Sequence, residues 1–464
     1  MSKPKTIFRC QTCGHETVKW SGRCPACGAW NTLAETRIEK QDKPAELRTS
    51  SVEISLLSEI AQSGEARRST GIDELDRVLG GGVMPASVVL ISGDPGIGKS
   101  TLLLQMAASL VRQNISCLYV SGEESLKQIK TRADRLAVGN IALPLLAETE
   151  LENVLYQVQK NKPEIVIVDS IQSIYSSNIS GAPGQMGQMR ECTARLFRAA
   201  KEEGWSLFLV GHITKEGSIA GPKLLEHTVD VVIYFEGDTF YQYRILRSLK
   251  NRFGATHEIG LFLMEQQGLK EVENPSSLFL SDSAAPQIGS SVVCSFEGSR
   301  PILAEVQSLV SRANYGVPQR TVSGFDQKRL ALLLAILEKH CRLDFGTSDV
   351  FVKIAGGLRI DDPGIDLGIA MAIFSSRTNR ALPAKSVYIG EIGLNGDLRP
   401  VSQAERRVQE AVKLGFRRIY LPAVTGQNIS RKITANCQVI PVKHISSFME
   451  TISTGSMSKK KVEK

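Results

Sequence analysis

Residues 88 to 101 read VVLISGDPGIGKST, in which an apolar, β-branched run leads directly into the pattern G-x4-G-K-[ST]. The residues from Lys99 onward, KSTLLLQMAASLVRQ, have the composition of a helix. A strand, a glycine-rich loop and a helix in this order form a loop whose backbone N–H groups bind the phosphates of a nucleotide. We therefore predict an ATP site made by Gly93, Asp94, Pro95, Gly96, Ile97, Gly98, Lys99, Ser100 and Thr101.

Four further apolar runs follow this loop, and helical segments separate them: CLYVS, IVIVDS, SLFLVGH and VVIYF. Short apolar runs of this kind indicate buried parallel strands. The sequence thus predicts an α/β sheet with its ligands at the carboxyl ends of the strands. His212, the last residue of SLFLVGH, would then either sense the γ-phosphate or cap the strand.

Side chains at these strand ends predict the chemistry of the site. Lys99 is expected to contact the β- and γ-phosphate oxygens, and Ser100 and Asp169 to bind Mg²⁺. Glu123 is expected to polarise the attacking water, with Glu124 as the alternative and helix capping as a competing role for either.

Length and composition indicate the number of domains and the class of protein. The chain has 464 residues, a formal net charge of +8 and 42% hydrophobic residues, which predicts roughly three domains of ordinary composition. No apolar run approaches the roughly 18 residues that cross a bilayer, and the basic start lacks the apolar stretch of a secretory signal. We expect a cytoplasmic location and no membrane partner.

Four of the nine cysteines lie within the first 27 residues, in the units CQTC and CPAC. This spacing predicts that Cys10, Cys13, Cys24 and Cys27 bind Zn²⁺ as four thiolates, and a closed shell of this kind is structural rather than catalytic. Around it, Lys19, Trp20, Arg23 and Trp30 either contact nucleic acid or protein or simply pack.

Several segments closely resemble the bacterial RadA (Sms) family of recombinational DNA repair proteins: STGIDELDRVLGGGV (69–83), the loop itself, VSGEES (120–125), IVIVDSIQSI (165–174) and KNRFG (250–254). The resemblance covers the whole chain. It implies a RecA-like P-loop ATPase core in a homo-oligomer, a hexameric ring with ATP at the subunit interfaces. It further implies a DNA-dependent ATPase that promotes branch migration with a RecA-type recombinase, acting on single-stranded and branched DNA.

In that family KNRFG is the most specific element, and the resemblance implies that Lys250 and Arg252 reach a neighbouring subunit's γ-phosphate. Two cations two residues apart on a strand project to the same side, which fits this role; a solvated basic strand is the alternative. Residues 176–191 and 214–227 look like the DNA-binding loops of that core, with Arg190, Lys215 and Lys223 facing the phosphate backbone.

The C-terminal region resembles the Lon peptidase domain. Asp366 stands at the position of the Lon serine and Glu405 at that of its lysine, so that a carboxylate faces a carboxylate and no nucleophile is activated. The resemblance therefore implies a non-peptidase scaffold. Its basic residues are candidates for a duplex path or for solvated surface: Lys353, Arg359, Lys385, Arg406, Arg407, Arg417 and Arg418.

These observations predict the following order along the chain: a four-cysteine zinc ribbon (1–35), a linker (36–65), the RecA-like ATPase domain (66–272), a second linker (273–288), the α/β Lon-protease-like domain (289–455) and a disordered tail (456–464). Two alternatives to a DNA motor stay open at this point. One is an ATP-gated assembly switch that binds DNA without moving it, and the other is an ATP-dependent protease.

Overall fold

The structure is a computed structural model that describes residues 6–37, 66–212, 225–237, 243–256, 258–281, 286–313, 316–426, 429–430 and 437–454. The chain divides into two compact units, Met1–Glu271 and Val272–Lys464. Within the described ranges, every helix is too short or too polar to cross a bilayer.

The first unit begins with a small antiparallel sheet in the order β2-β1-β3. Its strands are β1 (Thr6–Cys10), β2 (Glu16–Thr17) and β3 (Leu33–Arg37). Cys10, Cys24 and Leu33 are its buried apolar residues. So small a core contributes little stability, and modules of this size are generally stabilised by a bound metal ion or by disulfides.

The main sheet of the first unit has nine strands in the order β12-β11-β10-β9-β4-β8-β7-β5-β6. The strands are β4 (Val88–Gly93), β5 (Cys117–Ser121), β6 (Leu145–Ala147), β7 (Ile165–Asp169), β8 (Ser206–His212), β9 (Val231–Gly237), β10 (Tyr243–Asn251), β11 (Ile259–Glu265) and β12 (Gly268–Glu271). Its helices are α1 (Asp73–Leu79), α2 (Lys99–Arg112), α3 (Leu126–Arg135), α4 (Leu151–Asn161) and α5 (Met186–Glu203).

Both faces of this sheet are covered. Along β4, Val89 and Ile91 pack into one apolar cluster with α2, whereas Val88 and Leu90 pack into the other with α4 and α5. Burial on both faces explains the continuous apolar runs in the sequence. The predicted α/β core of buried parallel strands flanked by helices is confirmed.

Strand direction decides where the chemistry lies. Strands β4 to β9 are parallel, so β4, β5, β7 and β8 end at one edge of the sheet. Strands β10, β11 and β12 extend the sheet as antiparallel neighbours, which the sequence did not predict. The chain therefore leaves β10 at the opposite edge.

The second unit is also α/β, as expected. Its strands are β13 (Ser290–Glu297), β14 (Arg300–Arg312), β15 (Arg320–Ser323), β16 (Ser348–Ile354), β17 (Ser386–Tyr388), β18 (Glu391–Ile392), β19 (Leu398–Arg399), β20 (Arg418–Pro422) and β21 (Gln438–Val442). Its helices are α6 (Gln327–Cys341), α7 (Asp366–Thr378), α8 (Ala404–Lys413), α9 (Ala423–Gly426) and α10 (Ile445–Thr454). Strands β13, β14, β16 and β15 form one sheet, and β17, β20 and β21 form a parallel one.

Helix α7 is the centre of the second unit, because each residue from Asp366 to Ser375 is buried. It lies against β13 so closely that a Cβ on Gly368 would come 2.0 Å from Cγ1 of Val293. A short 3₁₀ helix, Pro275–Leu278, falls inside the stretch predicted as a linker. Its Ser276 hydroxyl accepts from the backbone N–H of Leu303 at 3.0 Å, so this stretch is packed against β14.

Candidate active site

The phosphate-binding loop has the backbone that its glycines permit. Gly93, Gly96 and Gly98 have φ values of 153°, 76° and 118°, and a Cβ on Gly93 would lie 2.4 Å from the carbonyl oxygen of Phe235. Helix α2 begins at Lys99 without a side-chain cap and without an acidic residue in its first turn. An uncapped helix N-terminus of this kind favours an anion.

Lys99 is buried under this loop, with 3% of its surface exposed. Its Nζ donates to the carbonyl oxygens of Gly93 at 2.8 Å and Asp94 at 2.9 Å. Burial lowers the pKa of Lys99 from 10.5 to about 8, against the opposing charges of Asp169, Asp94 and Glu123. The ammonium therefore lies close to the carboxylates expected to share the site.

Asp169 ends β7 at the same edge, opposite Ser121 of β5. The Tyr119 hydroxyl donates to its Oδ2 at 2.5 Å, which fixes the orientation of the carboxylate. The Asp169 carboxylate and the Ser100 hydroxyl, in the first turn of α2, are the hard oxygen donors that Mg²⁺ prefers. These residues fit the expected ion.

The two adjacent glutamates have different surroundings. The Ser170 hydroxyl, next to Asp169, donates to Glu123. Glu124 is instead ion-paired with Arg132, and its backbone N–H donates to the Ser121 hydroxyl at 3.0 Å. Glu123 thus lies beside Asp169, whereas Glu124 holds the start of α3; this geometry favours Glu123 as the base.

The fourth strand end at this edge belongs to β8, where the backbone of His212 pairs with Gly93. The His212 side chain, together with Lys215 and Lys223, lies outside the described residues. The predicted roles of these three residues stay predictions.

The loop at residues 176–185 is shorter than the sequence suggested. Arg190 was expected in this loop, but it is exposed in the second turn of α5, because the helix already begins at Met186. Gln188, which is buried, organises the loop: its amide donates to the carbonyl oxygens of Ser176, Ile179 and Gly181 at 3.0 to 3.1 Å.

The segment KNRFG lies at the end of β10. Asn251 is buried and its amide donates to the carbonyl oxygen of Leu79 at 3.1 Å, while Arg67 donates to the carbonyl oxygen of Phe253. Gly254 approaches Gly80 so closely that a Cβ on Gly254 would lie 3.2 Å from the Gly80 Cα. Asn251, Phe253 and Gly254 therefore anchor the segment to the end of α1.

Lys250 and Arg252 were predicted to project to the same side of a regular strand, and this prediction is wrong. The register of β10 against β9 shifts between Ser248 and Lys250, and the strand ends before Arg252. Both side chains nevertheless contact residues that directly precede β9. Lys250 donates to the carbonyl oxygens of Glu226 at 2.7 Å and Val229 at 2.8 Å. Burial, with Arg252 nearby, lowers the pKa of Lys250.

Arg252 lies far from the phosphate loop of its own subunit. Gly93 pairs with Phe235 of β9, whereas Arg252 contacts Asp230, which precedes β9. Five residues of strand separate the two levels, which is about 17 Å at roughly 3.3 Å per residue. The finger candidate and the phosphate loop are at opposite edges of one sheet.

The four cysteines form the cluster that the spacing predicted, and their ligand atoms lie within 4.8 Å of one another. The Sγ–Sγ distances are 3.7 Å for Cys10–Cys27 and 3.6 Å for Cys13–Cys24. A tetrahedron with metal–sulfur bonds of about 2.3 Å has edges of about 3.8 Å, so the cluster fits a four-thiolate metal ion. Trp20 and Trp30 beside it are 57% and 71% exposed.

The Lon-like site in the second unit differs from the expectation in one contact. Asp366 is buried and faces a guanidinium, since Nε of Arg329 donates to its Oδ1 at 2.5 Å, while Glu405 is exposed on α8. The predicted carboxylate pair is therefore wrong. Burial nonetheless raises the pKa of Asp366 against the opposing charge of Arg329.

One candidate for the duplex path is also wrong. Arg407 is fully buried, ion-paired with Asp362 at 2.6 Å and bonded to the carbonyl oxygen of Cys294 at 2.5 Å. It stabilises the interior and is not available to DNA. The other candidates are exposed: Lys353, Arg359, Lys385, Arg406, Arg417 and Arg418.

Three family models match separate parts of the chain. Residues 8–35 match the rubredoxin metal binding domain, residues 58–218 an AAA domain, and residues 313–425 the subunit ChlI of Mg-chelatase. Among solved structures, one of an ATPase domain covers 46% of this chain and 94% of its own at 15% identity, but its TM-score of 0.40 is too low to support an argument.

Curated relatives match over nearly the full length. A DNA repair protein RadA of Bacillus subtilis is 48% identical over 97% of this chain and 99% of its own. Those of Halalkalibacterium halodurans and Listeria monocytogenes are 49% and 46% identical, again over 97% of this chain, and cover 99% and 98% of their own.

Proposed function

The chain belongs to the RadA family of DNA repair proteins, and we propose that it is a DNA-stimulated ATPase that works as a ring and drives branch migration of recombination intermediates. In this proposal it acts in the cytoplasm, beside the RecA-type recombinase, on single-stranded and branched DNA. Its ATP sites lie between subunits of a hexamer.

One observation carries the proposal: Lys250 and Arg252 occupy the sheet edge opposite Lys99. No rotamer of Arg252 spans about 17 Å, so these cations have no access to the nucleotide of their own subunit. A head-to-tail arrangement, in which one subunit's amino edge meets the next subunit's carboxyl edge, brings them together and closes into a ring. Hydrolysis then depends on assembly.

The residues at the carboxyl edge would divide the work of phosphoryl transfer. The loop N–H groups and Lys99 hold the triphosphate, and Glu123 accepts a proton from the attacking water. Ser100 and Asp169 would hold Mg²⁺, which offsets charge on the phosphates. The Arg252 guanidinium of a neighbouring subunit, with Lys250, stabilises the charge that develops in the transition state.

DNA contact is proposed at the residues that follow β7 and β8 and on the exposed cations of the second unit. Loop 176–185 and Arg190 follow β7, and Lys353 and Arg359 are exposed in the second unit. Contacts from such cations follow the phosphate backbone and do not read sequence. The ribbon cysteines are proposed to bind Zn²⁺ as a structural ion.

ATP turnover with and without single-stranded DNA, measured beside the mass of the assembled species, tests this function. We expect DNA to stimulate turnover by tenfold or more in a ring-sized species, and Lys99→Ala to abolish it. Turnover that is indifferent to DNA would contradict the proposal. DNA binding and stimulation without movement of a branch point would leave the ATP-gated switch instead.

A further inference from the structure

Asp230 is a buried carboxylate that no role in nucleotide or DNA binding explains. It lies immediately before β9, and only 3% of its side chain is exposed. A buried charge is retained only where partners satisfy it, so its partners indicate what it does.

Those partners come from three different parts of the core. Oδ2 accepts from the backbone N–H of Val88, the first residue of the phosphate-loop strand, at 3.0 Å, and from Nζ of Lys201 on α5 at 2.7 Å. Oδ1 lies 3.5 Å from Nη1 of Arg252. The backbone adds a further link, since the N–H of Arg252 donates to the carbonyl oxygen of Asp230 at 3.2 Å.

Among the described residues, Asp230 is the partner that holds the Arg252 side chain. Its side chain is 53% exposed although Nη1 faces Asp230. A guanidinium carries five N–H donors in a rigid plane, so a contact through one nitrogen leaves donors for a further partner.

We propose that Asp230 is the positioning residue of the finger: it orients Arg252 so that the free donors of its guanidinium meet the nucleotide bound by the next subunit. This inference rests on the proposed sharing of the site between subunits. Asp230 itself touches no phosphate and acts through Arg252.

Asp230→Asn is the minimal test, because the amide oxygen still accepts from Val88 while the charge that attracts Arg252 is lost. We expect kcat for DNA-stimulated hydrolysis to fall about ten- to hundredfold, as for a misplaced catalytic group. KM for ATP and ring assembly should change little, because the finger acts in the transition state. Asp76→Asn, which alters a carboxylate bonded to Thr70 in the same unit, is the matched structural control and should keep kcat.

A second variant guards against a folding defect. Asp230→Asn leaves Lys201 without a counter-charge, so Asp230→Asn combined with Lys201→Gln restores a neutral, hydrogen-bonding pair. We expect this double variant to fold and to show the same low kcat. Lys201→Gln alone keeps the contact between Asp230 and Arg252, so its kcat should stay near the wild-type value. Wild-type kcat in the double variant would overturn the proposal.

Mixed rings separate this proposal from the shared site on which it rests. A Lys99→Ala subunit has no functional phosphate loop but an intact finger, so mixing it with Asp230→Asn subunits should restore activity at roughly one interface in four by random assortment. Lys99→Ala mixed with Arg252→Ala is the reference. Recovery in the reference but not with Asp230→Asn would overturn the role of Asp230, and recovery in neither would overturn the shared site as well.

Discussion

The buried state of Lys99 predicts that nucleotide affinity falls with rising pH. Burial lowers the pKa of Lys99 to about 8. About nine-tenths of this lysine is then charged at pH 7, and about one-tenth at pH 9. Because the phosphates bind the ammonium form, affinity for ADP or ATP should fall about tenfold between pH 7 and pH 9.

Titration with a fluorescent ADP analogue at constant ionic strength measures this directly, without catalysis. Lys99→Arg is the matched control, because a guanidinium stays charged over the whole range and its variant should bind with constant affinity. Constant affinity of the wild-type protein between pH 7 and pH 9 would refute the reasoning.

Loss of fold does not explain such a fall. The folded-state pKa of Lys99 is below the ordinary value of 10.5, so the unfolded chain binds more protons between about pH 8 and pH 10.5. The contribution of Lys99 to the free energy of unfolding therefore increases with pH in this window, opposite in sign to the change in affinity.

Three further predictions address the other sites. Glu123→Gln should lower kcat about a hundredfold or more at unchanged nucleotide affinity, because it removes the base. Glu124→Gln only weakens the ion pair with Arg132 and should lower kcat less than about tenfold. Equal losses of kcat in steady-state assays would contradict the assignment of Glu123 as the base. Asp366→Ala leaves Arg329 without its counter-charge and should lower the free energy of unfolding of the second unit by about 3–5 kcal/mol in urea. The wild-type protein should not cleave an unfolded substrate such as casein, and cleavage that ceases in Asp366→Ala would revive the protease. Cys13→Ser should release one metal ion per chain, as measured by elemental analysis, while nucleotide affinity is retained; retention of the metal would argue against the four-thiolate site.

The local motifs were predictable from sequence because each is contiguous. The phosphate loop follows its strand within a few residues, and the cysteine pairs define their own turns: Gly14 and Gly28, with φ values of 75° and 74°, accept the left-handed backbone after each pair. Geometry of this kind is determined by neighbours in the chain, so the pattern alone was sufficient.

Contacts between distant residues were not predictable in the same way. Asp230 has no periodic or motif signal, and its role appears only once β4, α5 and the end of β10 are brought together. The pairing of Asp366 with Arg329 likewise joins two helices through tertiary packing. The antiparallel strands β10 to β12 were not predictable because the sequence pattern does not show at which edge of the sheet further strands pair.

The burial of Arg407 did have a sequence signal. Ala404, Val408 and Ala411 are the buried positions of α8, and Arg407 falls on the same face at helical spacing. An arginine in an apolar stripe is usually paired, and Asp362 is its partner. Charge alone suggested a surface residue, whereas helical periodicity indicated the interior.

Turnover per subunit as a function of protein concentration tests most directly whether two subunits share each ATP site. If Arg252 of one subunit completes the site of the next, turnover per subunit should fall in step with the loss of rings as wild-type protein is diluted, with mass measured on the same samples. Undiminished turnover in samples that contain only monomers would contradict the account.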